Sequence, residues 1–315
     1  MRNSLILLRR QRAQSIFNVG LTYSLPVLPF YFLFGPITIL QGIYAKYFGL
    51  SLTTIASVLF IARLFDAVAD PFVGYCADRY YSQNGNRTPF ILCGGVLFII
   101  ASWFLYVPPS NVSSGYFLSW FLVFYFAYTL FEIPHLAWGS ELASSSEQKN
   151  KIYGIRSFFM FVGTLLFFAT PLLPVFENNE FTPETLKWSV LLASALMLPL
   201  LYLGTKNVCK SSRWDEHRVS QQKKLYLGGI FKAVFLNKPL LTLSAAHICS
   251  GFGWGMWLTM LFLYADIYLN LGGQFALVYT FSFSFSIFAL GAWYFLAAKW
   301  GKQSTWIAGM SLVLL

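Results

Sequence analysis

The sequence predicts an all-α membrane protein. It does so on three observations: a composition too apolar for a water-facing globule, apolar runs long enough to cross a bilayer, and no period-two strand pattern. Of 315 residues, 57% are apolar and 11% charged, with a mean hydropathy of +0.59. Soluble domains carry about a quarter charged residues, so a single core cannot bury this much apolar side chain. A spanning helix needs about 20 apolar residues, whereas a membrane barrel repeats alternating segments of about 10. Only the first pattern is present.

Taken in order, the spans fall at about residues 19–44, 53–75, 89–107, 116–138, 153–174, 188–204, 240–268 and 275–298, with a ninth starting near Thr305. The first contains Pro26, Pro29, Gly35 and Pro36, which predicts a kinked or broken helix. The apolar run after the basic start is too long for a cleaved signal peptide. The eighth contains Phe281-Ser-Phe-Ser-Phe-Ser-Ile-Phe288. That stretch alternates like a strand, but a helix is expected because hydrocarbon offers no partner to an open strand edge. Its serines are expected to bond back to their own helix.

Charge distribution sets the topology. With the N-terminus inside, the inner segments hold 18 Lys and Arg and the outer loops two, Lys46 and Lys187. The positive-inside rule therefore places the N-terminus in the cytoplasm, in a plasma or inner membrane. It also removes nucleic acid as the reason for the +10 net charge, because the basic residues are spread over loops. The four cysteines (Cys76, Cys93, Cys209, Cys249) show no paired motif and are read as small buried apolar residues.

Residues 205–237 form a long basic loop after six spans. This predicts a six-helix bundle over 1–204, a basic cytoplasmic linker over 205–238 and a partial second bundle over 239–315, as in transporters built from two halves. A chain stopping inside its ninth helix leaves backbone groups without partners in hydrocarbon. It is expected to be a fragment of one of roughly 400–470 residues; the alternative is a natural nine-span protein.

Few ionisable residues lie at bilayer depth, where each costs at least about 2.5–3.5 kcal/mol. Arg63, Asp66 and Asp70 are spaced i, i+3, i+7, within about 60° of arc on one face. Two carboxylates against one guanidinium suggest a cation site in which Arg63 keeps the carboxylates ionised. A static charge-compensated packing stripe is the competing reading. Glu132 lies mid-span beside Pro134 and one turn from Thr129, and Arg156 lies in the next span. Glu132 and Arg156 can pair with each other, or Arg156 can donate to a polar solute. His135 can relay protons or simply be hydrogen-bonded. Gly74 is expected to let another helix approach closely. Asp78 and Arg79, with Arg87 beyond, are expected to form a charge latch at the inner edge of the second span.

Walker, HExxH and GxSxG motifs and clustered Cys/His are absent, so neither enzyme activity nor a cofactor is expected beyond a coupling ion, H⁺ or Na⁺. The expected partners are a small solute and membrane lipid, and the chain is expected to be a monomer.

The segments Gly49-Leu-Ser51, Ala62-Arg63-Leu-Phe-Asp66-Ala-Val-Ala-Asp70-Pro71-Phe-Val-Gly74, Asp78-Arg79 and Gly85-Asn-Arg87-Thr-Pro89-Phe90 resemble the melibiose permease-like family. So do Glu132-Ile-Pro134 through Glu141 and Gly154-Ile-Arg156. These are glycoside–pentoside–hexuronide:cation symporters of the major facilitator superfamily. The resemblance implies twelve helices in two bundles, alternating access, and symport of a sugar or glycoside with H⁺ or Na⁺. It also implies that Asp66, Asp70 and Thr129 match cation-site positions and that Glu132 and Arg156 match sugar-site positions. Three departures stand out. Ala69 replaces an amide that the sugar symporters often place beside the cation, which favours H⁺ over Na⁺. The first helix lacks the family's sugar-binding Asp, and Leu136 replaces a stacking Trp. The alternatives are an amphipathic or lipid-like substrate, or a truncated membrane protein that does not transport.

Overall fold

The computed structural model describes residues 16–176, 179–211 and 235–313. Its helices are α1 (16–24), α2 (Val27–Phe34), α3 (Leu40–Phe48), α4 (Leu52–Asn84), α5 (Thr88–Tyr106), α6 (Ser114–Glu141), α7 (Ser146–Ala169), α8 (Pro183–Ser211), α9 (Lys238–Leu263), α10 (Gly272–Trp300) and α11 (Lys302–Val313). Seven helical stretches of the described residues are long and apolar enough to cross a membrane. The protein is an integral, multi-pass membrane protein.

The first span is interrupted as its prolines predict. It passes from α1 through a turn at residues 25–26 into α2, then through a 3₁₀ turn, Gly35–Thr38, into α3. Helix starts follow local chemistry. Ser51, Ser113 and Ser145 each accept a hydrogen bond from the backbone N–H three residues on, which satisfies a donor the helix cannot. α3 and α4 end on Gly49 and Gly85 at φ +69° and +64°, the left-handed cap that glycine adopts without a Cβ penalty.

Several boundaries differ from expectation. α4 runs on to Asn84 rather than ending near Tyr75, so Asp78 and Arg79 are helical. α8 continues to Ser211, through the start of the expected linker; residues 212–234 of that linker lie outside the described residues. The Phe–Ser stretch is helical, with Ser282, Ser284 and Ser286 donating to carbonyls four residues back.

Packing centres on α6, which lies against both α5 and α4, while α2 packs on α7 and α8. An aromatic stack joins three helices: Phe30 of α2 lies 4.5 Å from Phe98 of α5 and 4.1 Å from Phe131 of α6. Close approach occurs at Gly94 and Gly163 rather than at Gly74. A Cβ on Gly74 would find only the Ile133 side chain, at 3.8 Å, an ordinary contact, so the expectation for Gly74 is corrected. A Cβ on Gly94 would lie 2.5 Å from the Phe131 nitrogen and 2.7 Å from the Leu130 carbonyl carbon. Gly94→Ala is therefore expected to prise α5 from α6 at a cost of about 1–3 kcal/mol, read as a lower unfolding temperature in detergent.

The cysteines are also less buried than expected. Cys76 is half-buried, Cys93 and Cys249 are exposed, and all three are free thiols. One-residue-wide apolar side chains are tolerated on a lipid-facing surface as well as in a core, which is why composition could not separate the two.

Candidate functional site

Five ionisable residues of the spans, Arg63, Asp66, Asp70, Glu132 and Arg156, collect into two adjoining clusters, and α6 contributes to both. In the first, Thr129 Oγ1 donates to Asp70 Oδ1 at 2.8 Å, tying α6 to α4. Arg63 pairs with Asp66 at 3.2 Å and also donates to the Tyr125 hydroxyl at 3.2 Å, its guanidinium lying over that ring. Asp66 Oδ1 is buried without a hydrogen-bond partner. Arg63, Asp66 and Asp70 thus share a face as their spacing requires, but the guanidinium bonds only one carboxylate. Asp70 is held by a neutral hydroxyl. No group of three or more His, Cys, Asp or Glu side chains is gathered among the described residues.

One turn along α6, Glu132 meets Arg156 of α7. Arg156 Nη2 donates to Glu132 Oε1 at 2.5 Å, and the Tyr31 hydroxyl of α2 donates to the same oxygen at 3.2 Å. Both charged residues are only 6% exposed. Burial of an ion pair is tolerated where geometry and extra hydrogen bonds replace the lost water, and here the replacement is incomplete. Glu132 Oε2 and Arg156 Nε are buried with no partner. The ion pair thus keeps one unused acceptor and one unused donor, and the Tyr31 ring that bonds it packs on Phe34, which packs on Tyr128.

His135 is fully buried, stacked on Tyr23 at 4.2 Å, and its Nε2 is 3.1 Å from the Tyr23 carbonyl. In return the Tyr23 hydroxyl donates to the His135 carbonyl at 2.8 Å. The pairing fastens α1 to α6 just past Pro134, which matches the simple hydrogen-bonded reading of this histidine.

At the far end of α4 the charge cluster differs from the expected one. Arg87 pairs with Asp78 at 2.7 Å and with Glu141 of α6 at 3.0 Å, and lies over the Tyr81 ring. Arg79 makes no ion pair among the described residues, so the Asp78–Arg79 latch is corrected to Asp78–Arg87–Glu141. The helical register of the extended α4 explains this: adjacent residues diverge by about 100°, and it is Asp78, not Arg79, whose side chain reaches Arg87. Burial works against the charge on Arg87, but the hydrogen bonds and charges of Glu141 and Asp78 outweigh it and hold the guanidinium above its usual value.

Tyr31, Tyr125, Tyr128 and Glu141 are the participants that sequence reasoning did not assign. Glu141 carried a signal, an acid near the end of an apolar span. The tyrosines were lost among many aromatics.

Residues 16–315 match the MFS/sugar transport protein family. The chain belongs to that family. Among curated relatives, it is 27% identical over 220 residues to an uncharacterized symporter, YnaJ, of Bacillus subtilis (strain 168), covering 67% of this chain and 46% of the relative. It is 25% identical over 147 residues to the putative glycoside/cation symporter YagG of Escherichia coli (strain K12), with 45% and 32% covered. It is 28% identical over 117 residues to the sodium-dependent lysophosphatidylcholine symporter 1 of Mus musculus, with 35% and 22% covered. The chain thus spans less than half the length of these relatives. Membership makes the melibiose permease-like resemblance a consistent placement and assigns the helices to a transporter fold.

Proposed function

We propose that the protein is a cation-coupled symporter of a neutral, hydroxyl-rich solute, a sugar or glycoside, working by alternating access. The observation that carries this is the sharing of one helical turn by two polar sites. Thr129 touches Asp70, and Glu132, three residues on, touches Arg156. A rise of about 4.5 Å separates the two positions, so an ion that reorients one end of the turn biases the other. The unsatisfied Oε2 and Nε suit a solute hydroxyl, which can donate to one and accept from the other, and the neighbouring rings suit the apolar face of a sugar.

Charge supports the coupling. Arg63 and Arg156 oppose Asp66, Asp70 and Glu132, which leaves one net negative charge across the two clusters. One H⁺ or Na⁺ neutralises it, and binding of that ion favours the conformation that takes up solute. Asp66, Asp70 and Thr129 form the cation site in this reading, and Glu132 and Arg156 the solute site. Asp78, Arg87 and Glu141 hold α4 to α6 in one of the two states.

The Lys and Arg asymmetry supports a cytoplasmic N-terminus in a plasma or inner membrane. It also supports a six-helix bundle over 1–204, a basic connection over 205–238 and part of a second bundle over 239–315. A lipid-like substrate is the second reading, favoured by the likeness to the mouse lysophosphatidylcholine symporter. Uptake of labelled sugars, glycosides and lysophospholipids into proteoliposomes, under imposed Na⁺ or pH gradients, separates the two. Gradient-driven accumulation of a sugar is expected; accumulation of lysophospholipid alone would replace the sugar reading with the lipid one.

A further inference from the structure

We propose that a pocket at the end of the bundle opposite the Asp78–Arg87–Glu141 cluster binds the headgroup of a zwitterionic membrane phospholipid. The cavity measures about 700 Å³ and lies between the end of α3, the end of α5 and the start of α8, within the range of small-molecule sites. It is separate from the polar clusters of α4, α6 and α7, and the inference stands whichever solute is carried.

Position selects a lipid. α5 and α8 are spanning helices, and the pocket sits where one stops and the other starts, at the height of the water–hydrocarbon boundary. Its wall contains Tyr47, Phe48, Tyr106 and Trp188. Tyr47 and Trp188 remain partly exposed, at 40% and 42%, as amphipathic rings do at headgroup level.

Charge selects the headgroup. The rim carries one cation and one anion, Lys187 and Glu184, spaced i, i+3 on the first turns of α8 and therefore on one face. Both are exposed, and neither makes an ion pair or side-chain hydrogen bond within the described structure. Nearby Lys46 is different, because it is engaged by Asp266 at 3.5 Å. Among the described residues lining this pocket, Lys187 is thus available for a phosphate and Glu184 for an ammonium, with the Tyr47 and Trp188 rings adding cation–π attraction. A neutral rim with separated charges matches a headgroup of the same kind. A purely anionic headgroup would set its negative charge against Glu184.

Native mass spectrometry of the protein released from nanodiscs of equal phosphatidylethanolamine and phosphatidylglycerol tests this. The wild type is expected to retain one phosphatidylethanolamine in preference to phosphatidylglycerol. Lys187→Ala and Glu184→Gln are each expected to lower that retention about fivefold, while Lys46→Ala leaves it unchanged. The exchanged variant Glu184→Lys/Lys187→Glu keeps the rim neutral and is expected to recover most of the retention, which separates charge matching from misfolding. Equal retention of the two lipids by wild type, or retention indifferent to both single substitutions, overturns the proposal. So does equally tight binding of water-soluble glycerophosphoethanolamine, which would make the ligand a free solute rather than a membrane lipid.

Discussion

Arg156→Gln is expected to cost about 3–5 kcal/mol of stability, the penalty for leaving a buried carboxylate without its counter-charge, and to abolish solute uptake. Glu132 is 6% exposed and its Oε1 receives two hydrogen bonds, from Arg156 and Tyr31. Removing the guanidinium leaves only the phenol. The double variant Glu132→Gln/Arg156→Gln removes both charges and replaces the ion pair with two amides of similar size. Its stability is expected to return to within about 1 kcal/mol of wild type, since replacing both partners of a buried polar pair can be nearly neutral. Transport is expected not to return. Losing the charged partners of a bound hydroxyl removes about 2–3 kcal/mol of solute binding, roughly a hundredfold. Thermal unfolding in detergent and solute binding measured on the same preparations distinguish the two roles. A double variant that is stable and still binds solute would show that the pair only joins α6 to α7.

The contrast between the clusters shows what sequence can and cannot reveal in a membrane protein. Apolar length and proline position gave the spans, because hydrocarbon forces every backbone group into a helix and leaves little for tertiary context to override. Asp66, Asp70, Glu132 and Arg156 stood out for the same reason, since a charge at bilayer depth is expensive and therefore rare. Pairings are another matter. Thr129 with Asp70 and Tyr31 with Glu132 join residues far apart in the chain, and tyrosine is as common in an apolar wall as in a site. Arg79 and Arg87 are both basic residues at the inner edge, and the sequence does not separate the one that pairs with Asp78 from the one that does not. Only the continuation of α4 to its glycine cap at Gly85 swings Arg87 back onto Asp78 and Glu141. Gly74 failed for a related reason: a glycine permits close approach, but only the crossing of a second helix makes use of it, and the crossings fall at Gly94 and Gly163.

Asp70→Asn is expected to uncouple transport. The substitution keeps the size of the side chain and an oxygen that can accept from the Thr129 hydroxyl, so the α4–α6 contact at 2.8 Å can persist. It removes the one carboxylate of the first cluster that faces no guanidinium, Arg63 being committed to Asp66 and Tyr125. The net negative charge of the two clusters falls to zero, and the electrostatic reason to bind a cation falls with it. Accumulation against a concentration gradient is therefore expected to vanish, while exchange of labelled for unlabelled solute continues, because Glu132 and Arg156 are untouched. Asp66→Asn removes the same single negative charge and also frees the Arg63 guanidinium from its partner, so it is expected to lower ion affinity at least as strongly. Measuring accumulation and exchange side by side under Na⁺ and pH gradients reads both effects and identifies the ion. Full gradient-driven accumulation by Asp70→Asn would place the cation elsewhere. Loss of exchange together with accumulation would mean that Asp70 holds α4 against α6 rather than holding an ion, and Thr129→Val, which breaks the same contact without touching charge, would then reproduce the defect.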